Sequence, residues 1–238
     1  MIDTHCHILW GVDDASQSKE ASMDMIRIAI ADGIKGIVAT SHIKEGMFDN
    51  SPNKLEKAFT ALKEEIKKQN LPIEIYFGGE NYMSYYTMHK LKEKNFVTYN
   101  YGKYMLCEFA WTKNGKDDPT RFIKAVIEEG YIPVIAHPER YQVVHEDYSL
   151  IKKWKDLGCM MQVNRTSIFG YDKIMKANMI ANKMLEDDLI DIIASDAHRP
   201  YAPRYPKLSD IYKYVEKRFG KERAELYLVE NPRKILGI

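Results

Sequence analysis

Residues 1–14 read MIDTHCHILWGVDD, and this stretch decides how the rest of the chain is interpreted. Its first half is typical of a buried β-strand, with His5 and His7 two positions apart near the carboxyl end. Side chains at that spacing project from the same face of a strand. Two imidazoles held side by side can bind one metal ion with little backbone distortion. Because an acidic pair, Asp13 and Asp14, follows closely, the stretch predicts part of a metal site.

The composition favours one large globular domain. Of the 238 residues, 45% are hydrophobic and 29% are charged, so a large core can form. A formal net charge of +1 argues against a surface dedicated to nucleic acid or to an anionic membrane. No stretch approaches the roughly eighteen unbroken apolar residues of a membrane-spanning helix, and the N-terminus does not read as a signal peptide. We therefore expect a single cytoplasmic domain over residues 1–238, without membrane insertion, that is free to self-associate.

Short apolar segments alternate with amphipathic ones along the whole chain. The predicted strands cover residues 2–8, 36–40, 73–77, 104–109, 132–136, 159–163 and 190–194. The predicted helices cover residues 19–32, 52–69, 87–94, 119–129, 148–157, 174–186, 209–219 and 221–229. Ser18 and Ser51 are suited to cap the first two helices, and Gly33 to end the first. Strands that alternate with helices indicate a parallel sheet covered on both faces, and seven such units favour a closed β/α barrel.

Residues with metal-binding side chains follow six of the seven predicted strands. They are His5 and His7, His42, Glu80, Glu108, His137, and Asp196 with His198. A β/α barrel builds its active site at the carboxyl ends of its strands. Five of the seven histidines fall at such ends, which packing alone does not explain, whereas His89 and His145 are assigned no role. Imidazole and carboxylate without thiolate suit manganese, iron or zinc, and so many donors fit two or three ions.

Six motifs carry a resemblance to a known family. HCHILWGVDD, VATSH, GGE, LCEF, VIAHPERY and IASDAH together resemble the polymerase-and-histidinol-phosphatase (PHP) superfamily in order and spacing. The sequence is most similar to the bacterial branch of manganese-dependent protein-tyrosine phosphatases from capsule and exopolysaccharide operons, and the match extends to the terminal NPRKILGI. The resemblance implies an α/β fold, a distorted seven-stranded barrel of the PHP type. It also implies three divalent cations, most often Mn²⁺, with iron and zinc as alternatives.

The resemblance divides the candidate ligands into three groups. They are His5, His7, Glu80 and Asp196 for the first metal; Glu80, Glu108 and His137 for the second; and Asp14, His42 and His198 for the third. Asp13 is the alternative to Asp14, because spacing alone does not separate the two.

Two arginines complete the implied site. Arg140 in HPERY matches a phosphate-binding arginine of that branch, and Arg204 is preferred over Arg199 as the second. A guanidinium offers a planar fork to two phosphate oxygens. The implied reaction is in-line attack on phosphotyrosine by metal-activated hydroxide, without a phospho-enzyme. The phenolate leaving group, whose conjugate acid has a pKa of about 10, needs little protonation; His42 and His198 are the candidates to supply it.

Cys6, Cys107 and Cys159 lie in apolar runs, and no pair has Cys-x-x-Cys spacing, so no disulfide framework is expected. Cys159 and Arg165 nevertheless have the Cys-x5-Arg spacing of cysteine-dependent tyrosine phosphatases. That chemistry needs a glycine-rich loop whose backbone N–H groups hold phosphate. The residues between these two are mostly apolar, so we interpret Cys159 as a buried strand residue.

Three functions follow from these readings. The first is a protein-tyrosine phosphatase, whose implied partner is the tyrosine-rich tail of a bacterial tyrosine kinase that regulates polysaccharide synthesis. The second is a small-molecule phosphatase such as histidinol-phosphate phosphatase, from the same superfamily. The third is a non-catalytic interaction protein that keeps its metals for folding. The acidic pair in GVDD, the HPERY segment and the modest length favour the first.

Overall fold

The computed structural model describes residues 1–112, 118–171 and 173–238. Its strands are β1 (Ile2–Cys6), β2 (Gly36–Ala39), β3 (His42–Ile43), β4 (Glu74–Phe77), β5 (Glu80–Tyr82), β6 (Tyr104–Glu108), β7 (Ile132–Ala136), β8 (Met160–Asn164) and β9 (Ile192–Ala194). Neighbouring strands pair in parallel throughout, in the orders β1-β2-β4 and β3-β5-β6-β7-β8-β9. The prediction of an α/β fold with parallel strands is confirmed.

The seven predicted strands form two sheets rather than one unbroken barrel sheet. β3 follows β2 after two residues, and β5 follows β4 after Gly78 and Gly79. A Cβ atom on Gly78 would lie 2.6 Å from Val38 Cγ1, and one on Gly79 would lie 2.9 Å from Val97 Cβ. Only glycine allows such close approach where the chain crosses from one sheet to the other. The two short strands were not predicted, because two or three residues carry no periodicity.

The two sheets meet where β1 approaches the segment that follows β9. The His7 N–H donates to the carbonyl of Ala197, and the Asp196 N–H donates to the carbonyl of His5, both at 2.8 Å. β1 therefore ends at Cys6, and the predicted extension to residue 8 is wrong, because this part of the chain bonds to a loop. The contact places the first and the last predicted ligands of the chain side by side.

Helices lie between the strands and at the end of the chain. They are α1 (Lys19–Ala31), α2 (Pro52–Lys68), α3 (Met88–Lys92), α4 (Pro119–Glu128), α5 (Gln142–Glu146), α6 (Ser149–Asp156), α7 (Arg165–Phe169), α8 (Met175–Glu186), α9 (Ser209–Phe219), α10 (Lys221–Glu225) and α11 (Asn231–Leu236). Ser18 and Ser51 cap α1 and α2 as predicted. Residues 221–229 are helical as predicted, but a π-helical turn, Leu226–Glu230, follows α10 and continues into α11. The five-residue helices α5 and α7 were not predicted. Among the described residues, no helix has the length and apolar character to cross a membrane.

The strands bury both of their faces. One face packs against the helices in the main core, where Trp154 of α6 and Phe122 of α4 are fully buried. The other face forms a second apolar cluster that includes Val38, Leu106 and Val134. Residues two positions apart lie on the same face of a strand. On this face the apolar Leu106 is followed at the carboxyl end of β6 by the polar Glu108, which lies outside the apolar cluster. This face of the strands is therefore apolar over most of its length and polar at the carboxyl ends.

Asp32, which follows α1, anchors the start of α9 from outside that helix. Its Oδ2 accepts the backbone N–H groups of Leu208 and Ser209 at 2.6 and 2.8 Å, and its Oδ1 lies 3.1 Å from Lys207 Nζ. These are N–H groups that a helix cannot pair internally. Burial raises the pKa of Asp32, but the hydrogen bonds from Ser209 and Leu208 more than offset it and hold the pKa below 3.8.

We expect Asp32→Ala to lower the free energy of unfolding by about 2 kcal/mol at neutral pH, because the start of α9 loses its acceptor. A carboxylate with a depressed pKa stabilises the fold above its unfolded pKa, and the effect disappears as the pH falls through the folded value. The deficit should therefore shrink below pH 3.8. Urea unfolding at several pH values measures it. Asp24→Ala, which removes an exposed pair with Arg27, is the control and should change little.

Candidate metal centre

Four side chains of the first predicted group converge on one point. The Nε2 atoms of His5 and His7 lie 3.1 Å apart, and Glu80 Oε2 lies 3.3 Å from each of them. Asp196 Oδ1 lies 3.6 Å from His5 Nε2 and 3.7 Å from His7 Nε2. All four side chains are buried. Two nitrogen and two oxygen donors therefore face a common centre, as a divalent cation requires.

The second predicted group lies on the other side of Glu80. His137 Nε2 is 3.0 Å from Glu80 Oε1, and Glu108 is buried beside them. His42 also reaches this group, since its Nδ1 lies 2.9 Å from Glu80 Oε2 and 3.8 Å from Glu108 Oε2. The resemblance placed His42 with the third metal alone. In the structure its ring lies between the second and third groups.

The structure separates Asp13 from Asp14. Asp14 Oδ1 lies 3.8 Å from the Nε2 atoms of both His42 and His198, which are the partners expected for the third metal. Asp13 instead lies behind His7, with its Oδ2 2.9 Å from His7 Nδ1, and it also accepts the backbone N–H of His42. The geometry therefore favours Asp14 as the donor and leaves Asp13 to orient His7.

Three of the imidazoles have an oxygen atom within hydrogen-bond distance of Nδ1, and these oxygens orient the rings. His5 Nδ1 lies 2.7 Å from Gln162 Oε1, and His198 Nδ1 lies 3.1 Å from the carbonyl of Asp196. His7 Nδ1 lies 2.9 Å from Asp13 Oδ2. In a neutral imidazole, a ring nitrogen that donates to such an oxygen leaves a lone pair on the other nitrogen, Nε2. The Nε2 atoms of His5 and His7 point into the cluster, and Arg204 Nη2 lies 3.1 Å from that of His198.

Charges within the cluster shift the pKa values of its acids. Burial raises the pKa of Glu80, but the imidazoles of His5 and His42 more than offset it and hold the pKa well below its usual value. The pKa of Asp196 is held well below its usual value in the same way, chiefly by Arg204. Burial and the neighbouring Glu80 raise the pKa of Glu108 to about 7. The carboxylates of Glu80 and Asp196 are therefore ionised although they are buried.

The donor chemistry fits divalent cations. Within residues 1–112, 118–171 and 173–238, the buried atom Glu108 Oε2 has no hydrogen-bond partner. A buried polar atom without a partner is costly, and a metal ion satisfies such lone pairs directly. Sets of three donors within 4.8 Å of one another recur three times in the described residues: His5, His7 and Asp196; His42, Glu80 and Glu108; and His7, His42 and His198.

Two of the candidate ligands have an unusual backbone conformation. His137 has a φ of 34° and Asp196 a φ of 50°, in the left-handed region that residues other than glycine rarely adopt. Each follows the end of a strand, β7 or β9, where an extended backbone would direct the side chain elsewhere. Strain of this kind persists only where the surrounding structure enforces it, and it is concentrated at functional sites.

A cleft of about 410 Å³ opens above the cluster and exposes it to solvent. Arg140 and Arg204 both line it. Arg140 Nη1 lies 3.0 Å from Asp196 Oδ2, and Arg204 Nη2 lies 2.8 Å from Asp196 Oδ1. Arg199 is exposed and donates instead to the hydroxyl of Tyr201. The geometry therefore favours Arg204 over Arg199 as the second arginine of the site.

The cleft also contains residues that the sequence analysis did not select. Trp111 Nε1 donates to Glu108 Oε1 at 3.1 Å, and its ring lies 5.2 Å from Arg140 Cζ. Phe48 stacks on the His42 ring with centroids 5.3 Å apart. Lys44 also lines the cleft. These residues come from loops, where no periodicity marks them; the position of Trp111 three residues after Glu108 was the only available signal.

Cys159 lies far from this cleft. It precedes β8 and Arg165 follows it, so an extended strand of roughly 20 Å separates the two. Burial and the nearby Asp191 raise the pKa of the Cys159 thiol to about 12, and Arg165 is held by the carboxylate of Asp210. Cys159 is buried as interpreted, although it lies one residue before β8 and not in the strand. Cys6 and Cys107 are likewise buried free thiols.

A family model for capsular polysaccharide synthesis proteins of the CpsB/CapC type matches residues 1–237. The chain belongs to the CpsB/CapC family. The resemblance inferred from the six motifs is thereby confirmed.

The sequences of named relatives align with nearly the whole chain. The tyrosine-protein phosphatase CpsB of Streptococcus agalactiae is 35% identical over 240 residues, which is 99% of this chain and 98% of the relative. The tyrosine-protein phosphatase YwqE of Bacillus subtilis is 32% identical over 241 residues, covering 99% and 91%. A crystal structure from work on YwqE of Bacillus subtilis and CpsB of Streptococcus pneumoniae, described as unique metal-dependent tyrosine phosphatases, matches with a TM-score of 0.88 and 30% identity. It covers 100% of this chain and 94% of the other.

Proposed function

We propose that this chain is a metal-dependent protein-tyrosine phosphatase acting on phosphotyrosine proteins of capsule or exopolysaccharide synthesis. The observation that carries the proposal is the convergence of imidazole, carboxylate and guanidinium groups in one solvent-accessible cleft. A buried cluster of donors beneath two arginines suits a substrate that carries a phosphoryl group. The names of the relatives and the family description support the same activity.

In this proposal the three donor groups hold up to three divalent cations. Their members are His5, His7, Glu80 and Asp196; Glu80, Glu108 and His137; and Asp14, His42 and His198. Imidazole with carboxylate favours Mn²⁺, with iron and zinc as alternatives. Bound in this cluster, such cations would lower the pKa of a water molecule and neutralise negative charge on phosphoryl oxygens. Asp13 and Gln162 would orient the imidazoles without binding a metal.

Arg140 and Arg204 would bind the phosphoryl oxygens from the open side of the cleft. Both guanidinium groups contact Asp196 in this structure, so their positive charges are already directed toward the cluster. Their planar forks match tetrahedral oxyanions better than a lysine ammonium does. Of the two candidate proton donors to the leaving oxygen, His42 is 13% exposed and His198 is 4% exposed. His42 is the more accessible of the two, although either imidazole can donate a proton only while it is not bound to the third metal.

Aromatic walls make phosphotyrosine the preferred substrate class. Trp111, Phe48 and Tyr82 line the cleft above the cluster. An aryl ring that enters between them gains stacking and apolar contacts, which an alkyl phosphate lacks. The proposed physiological partner is the tyrosine-rich tail of a bacterial tyrosine kinase from a polysaccharide operon.

Purified protein supplied with Mn²⁺ should hydrolyse a phosphotyrosine peptide with a kcat/KM at least about tenfold higher than for a matched phosphoserine peptide or histidinol phosphate. About 1.4 kcal/mol of contact with the aryl ring accounts for a factor of ten. Phosphate release, measured against substrate concentration, gives these values.

The same protein after treatment with a chelator and gel filtration is the control, and it should regain activity when Mn²⁺ is returned. Faster turnover of histidinol phosphate would instead support the small-molecule phosphatase. Metal uptake without hydrolysis of any of these substrates would support a non-catalytic role.

A further inference from the structure

β8 corresponds to the one of the seven predicted strands that is not followed by a residue with a metal-binding side chain. Its residues MMQVN alternate, with Met161 and Val163 in the main core and Gln162 and Asn164 on the opposite face. Both amide side chains are fully buried. A buried amide is costly unless its donors and acceptors are paired, so the partners of these two side chains identify their role.

Hydrogen bonds through the two amides connect two candidate ligands of the first metal group, His5 and Asp196. His5 Nδ1 lies 2.7 Å from Gln162 Oε1, Gln162 Nε2 lies 2.8 Å from Asn164 Oδ1, and Asn164 Nδ2 lies 2.7 Å from Asp196 Oδ2. The chain of bonds thus begins on one candidate ligand and ends on another.

The last acceptor, Asp196 Oδ2, fixes the direction of all of these hydrogen bonds. Asp196 Oδ2 also accepts Arg140 Nη1 at 3.0 Å, and a carboxylate paired with a guanidinium is ionised and only accepts. The amide NH₂ of Asn164 must therefore face Asp196, which turns its oxygen toward the NH₂ of Gln162. The oxygen of Gln162 then faces His5, so His5 Nδ1 must carry the hydrogen.

We propose that Gln162 and Asn164 are positioning residues that prepare His5 and Asp196 for a divalent cation. The proposal rests on the metal centre proposed above. With the hydrogen on Nδ1, His5 presents the Nε2 lone pair to the cluster. With Oδ2 held by Asn164 and Arg140, the other oxygen of Asp196, Oδ1, faces the same point, 3.6 Å from His5 Nε2, and also accepts Arg204 Nη2.

Rigid elements support this pair. β8 lies between β7 and β9, with Gln162 paired to Ala136 and Asn164 paired to Ala194 in the sheet. The backbone N–H of Asn164 also donates to Glu139 Oε1 at 3.0 Å. Partners that orient a metal-binding histidine typically contribute about 10–100-fold to metal affinity. Side chains held on a central strand can supply this without rearrangement.

The first test needs no substitution. The zinc-loaded wild-type protein is diamagnetic, so long-range ¹H–¹⁵N correlation spectra report which ring nitrogen of His5 carries the hydrogen. We expect the hydrogen on Nδ1. A hydrogen on Nε2 would overturn the proposal. If the wild-type protein takes up no zinc, the proposed metal centre is wrong and the positioning role fails with it.

The second test compares variants by calorimetric zinc titration of chelator-stripped protein. Gln162→Met should weaken one bound ion by about 10–100-fold and leave the others nearly unchanged. Gln162→Glu keeps an acceptor for His5 and should regain part of the affinity. Asn164→Asp should lose more affinity than Asn164→Leu, because it sets one carboxylate against another at Asp196.

Asn178→Leu is the matched control. It removes a half-buried amide that donates to the carbonyls of Ser167 and Ile168, outside the cluster. It should lower the Tm without changing zinc affinity by more than about threefold, which separates a positioning role from general destabilisation. Wild-type zinc affinity in folded Gln162→Met would contradict the proposal.

Discussion

Replacing His137 with alanine is expected to lower kcat/KM for a phosphotyrosine peptide by about 10³-fold or more, while Cys159→Ser stays within about threefold of wild type. His137 is buried, lies 3.0 Å from Glu80 Oε1, and adopts a strained backbone that directs it into the cluster. Its loss removes one donor and leaves a buried Glu80 oxygen unpaired, which costs several kcal/mol in the proposed centre. Cys159 lies at the far end of β8, and its thiol is not available as a nucleophile.

Steady-state kinetics with saturating Mn²⁺, together with circular dichroism to verify folding, measure this difference. His89→Ala is the matched control, because His89 is an exposed histidine of α3 outside the cluster. Unchanged kinetics are expected for it. Loss of activity in Cys159→Ser with retention in His137→Ala would refute the metal-dependent mechanism in favour of a cysteine nucleophile.

Arg140→Lys is expected to lower kcat/KM by about 10²-fold, mainly through kcat, although the positive charge is kept. A lysine ammonium cannot offer two parallel N–H groups to a phosphoryl group. Arg140 also donates to Asp196 Oδ2, so the substitution weakens one of the hydrogen bonds that orient this carboxylate. The ring of Trp111 packs against the guanidinium and would lose that contact as well.

Arg199→Lys provides the comparison, since Arg199 is an exposed arginine that bonds to Tyr201 and lies outside the cleft. We expect wild-type values of kcat and KM for it. Equal losses in Arg199→Lys and Arg140→Lys would mean that surface charge, rather than the geometry of the cleft, governs the rate. Kinetics at two ionic strengths would separate these explanations, because salt screens exposed charges more strongly.

Much of the candidate site could be predicted from the sequence because its parts are local. The spacing of His5 and His7 sets both rings on one face of a strand whatever the rest of the chain does. The apolar runs before His42, Glu80 and His137 mark strands, and parallel strands bring their carboxyl ends to one edge. The caps at Ser18 and Ser51 were also correct, since a cap depends only on its own turn.

The parts that were missed or left open depend on distances between segments. Asp13 and Asp14 are neighbours in sequence, and only the packed structure shows that one contacts His7 and the other faces His198. Trp111 reaches Glu108 from a loop that carries no pattern. The π-helical turn after α10 continues a helical pattern without a break, so nothing in the residue pattern marks where the helix changes type.

Strand periodicity and side-chain chemistry are properties of short segments, so the order of residues was enough to predict which residues can act as donors and at which strand ends they lie. The orientation of these donors depends on the packed fold. Gln162 and Asn164 read as ordinary polar residues of a buried strand, yet they connect His5 with Asp196 across 191 positions of the chain. The direction of a hydrogen bond between such distant segments depends on their relative placement, which packing of the whole barrel sets.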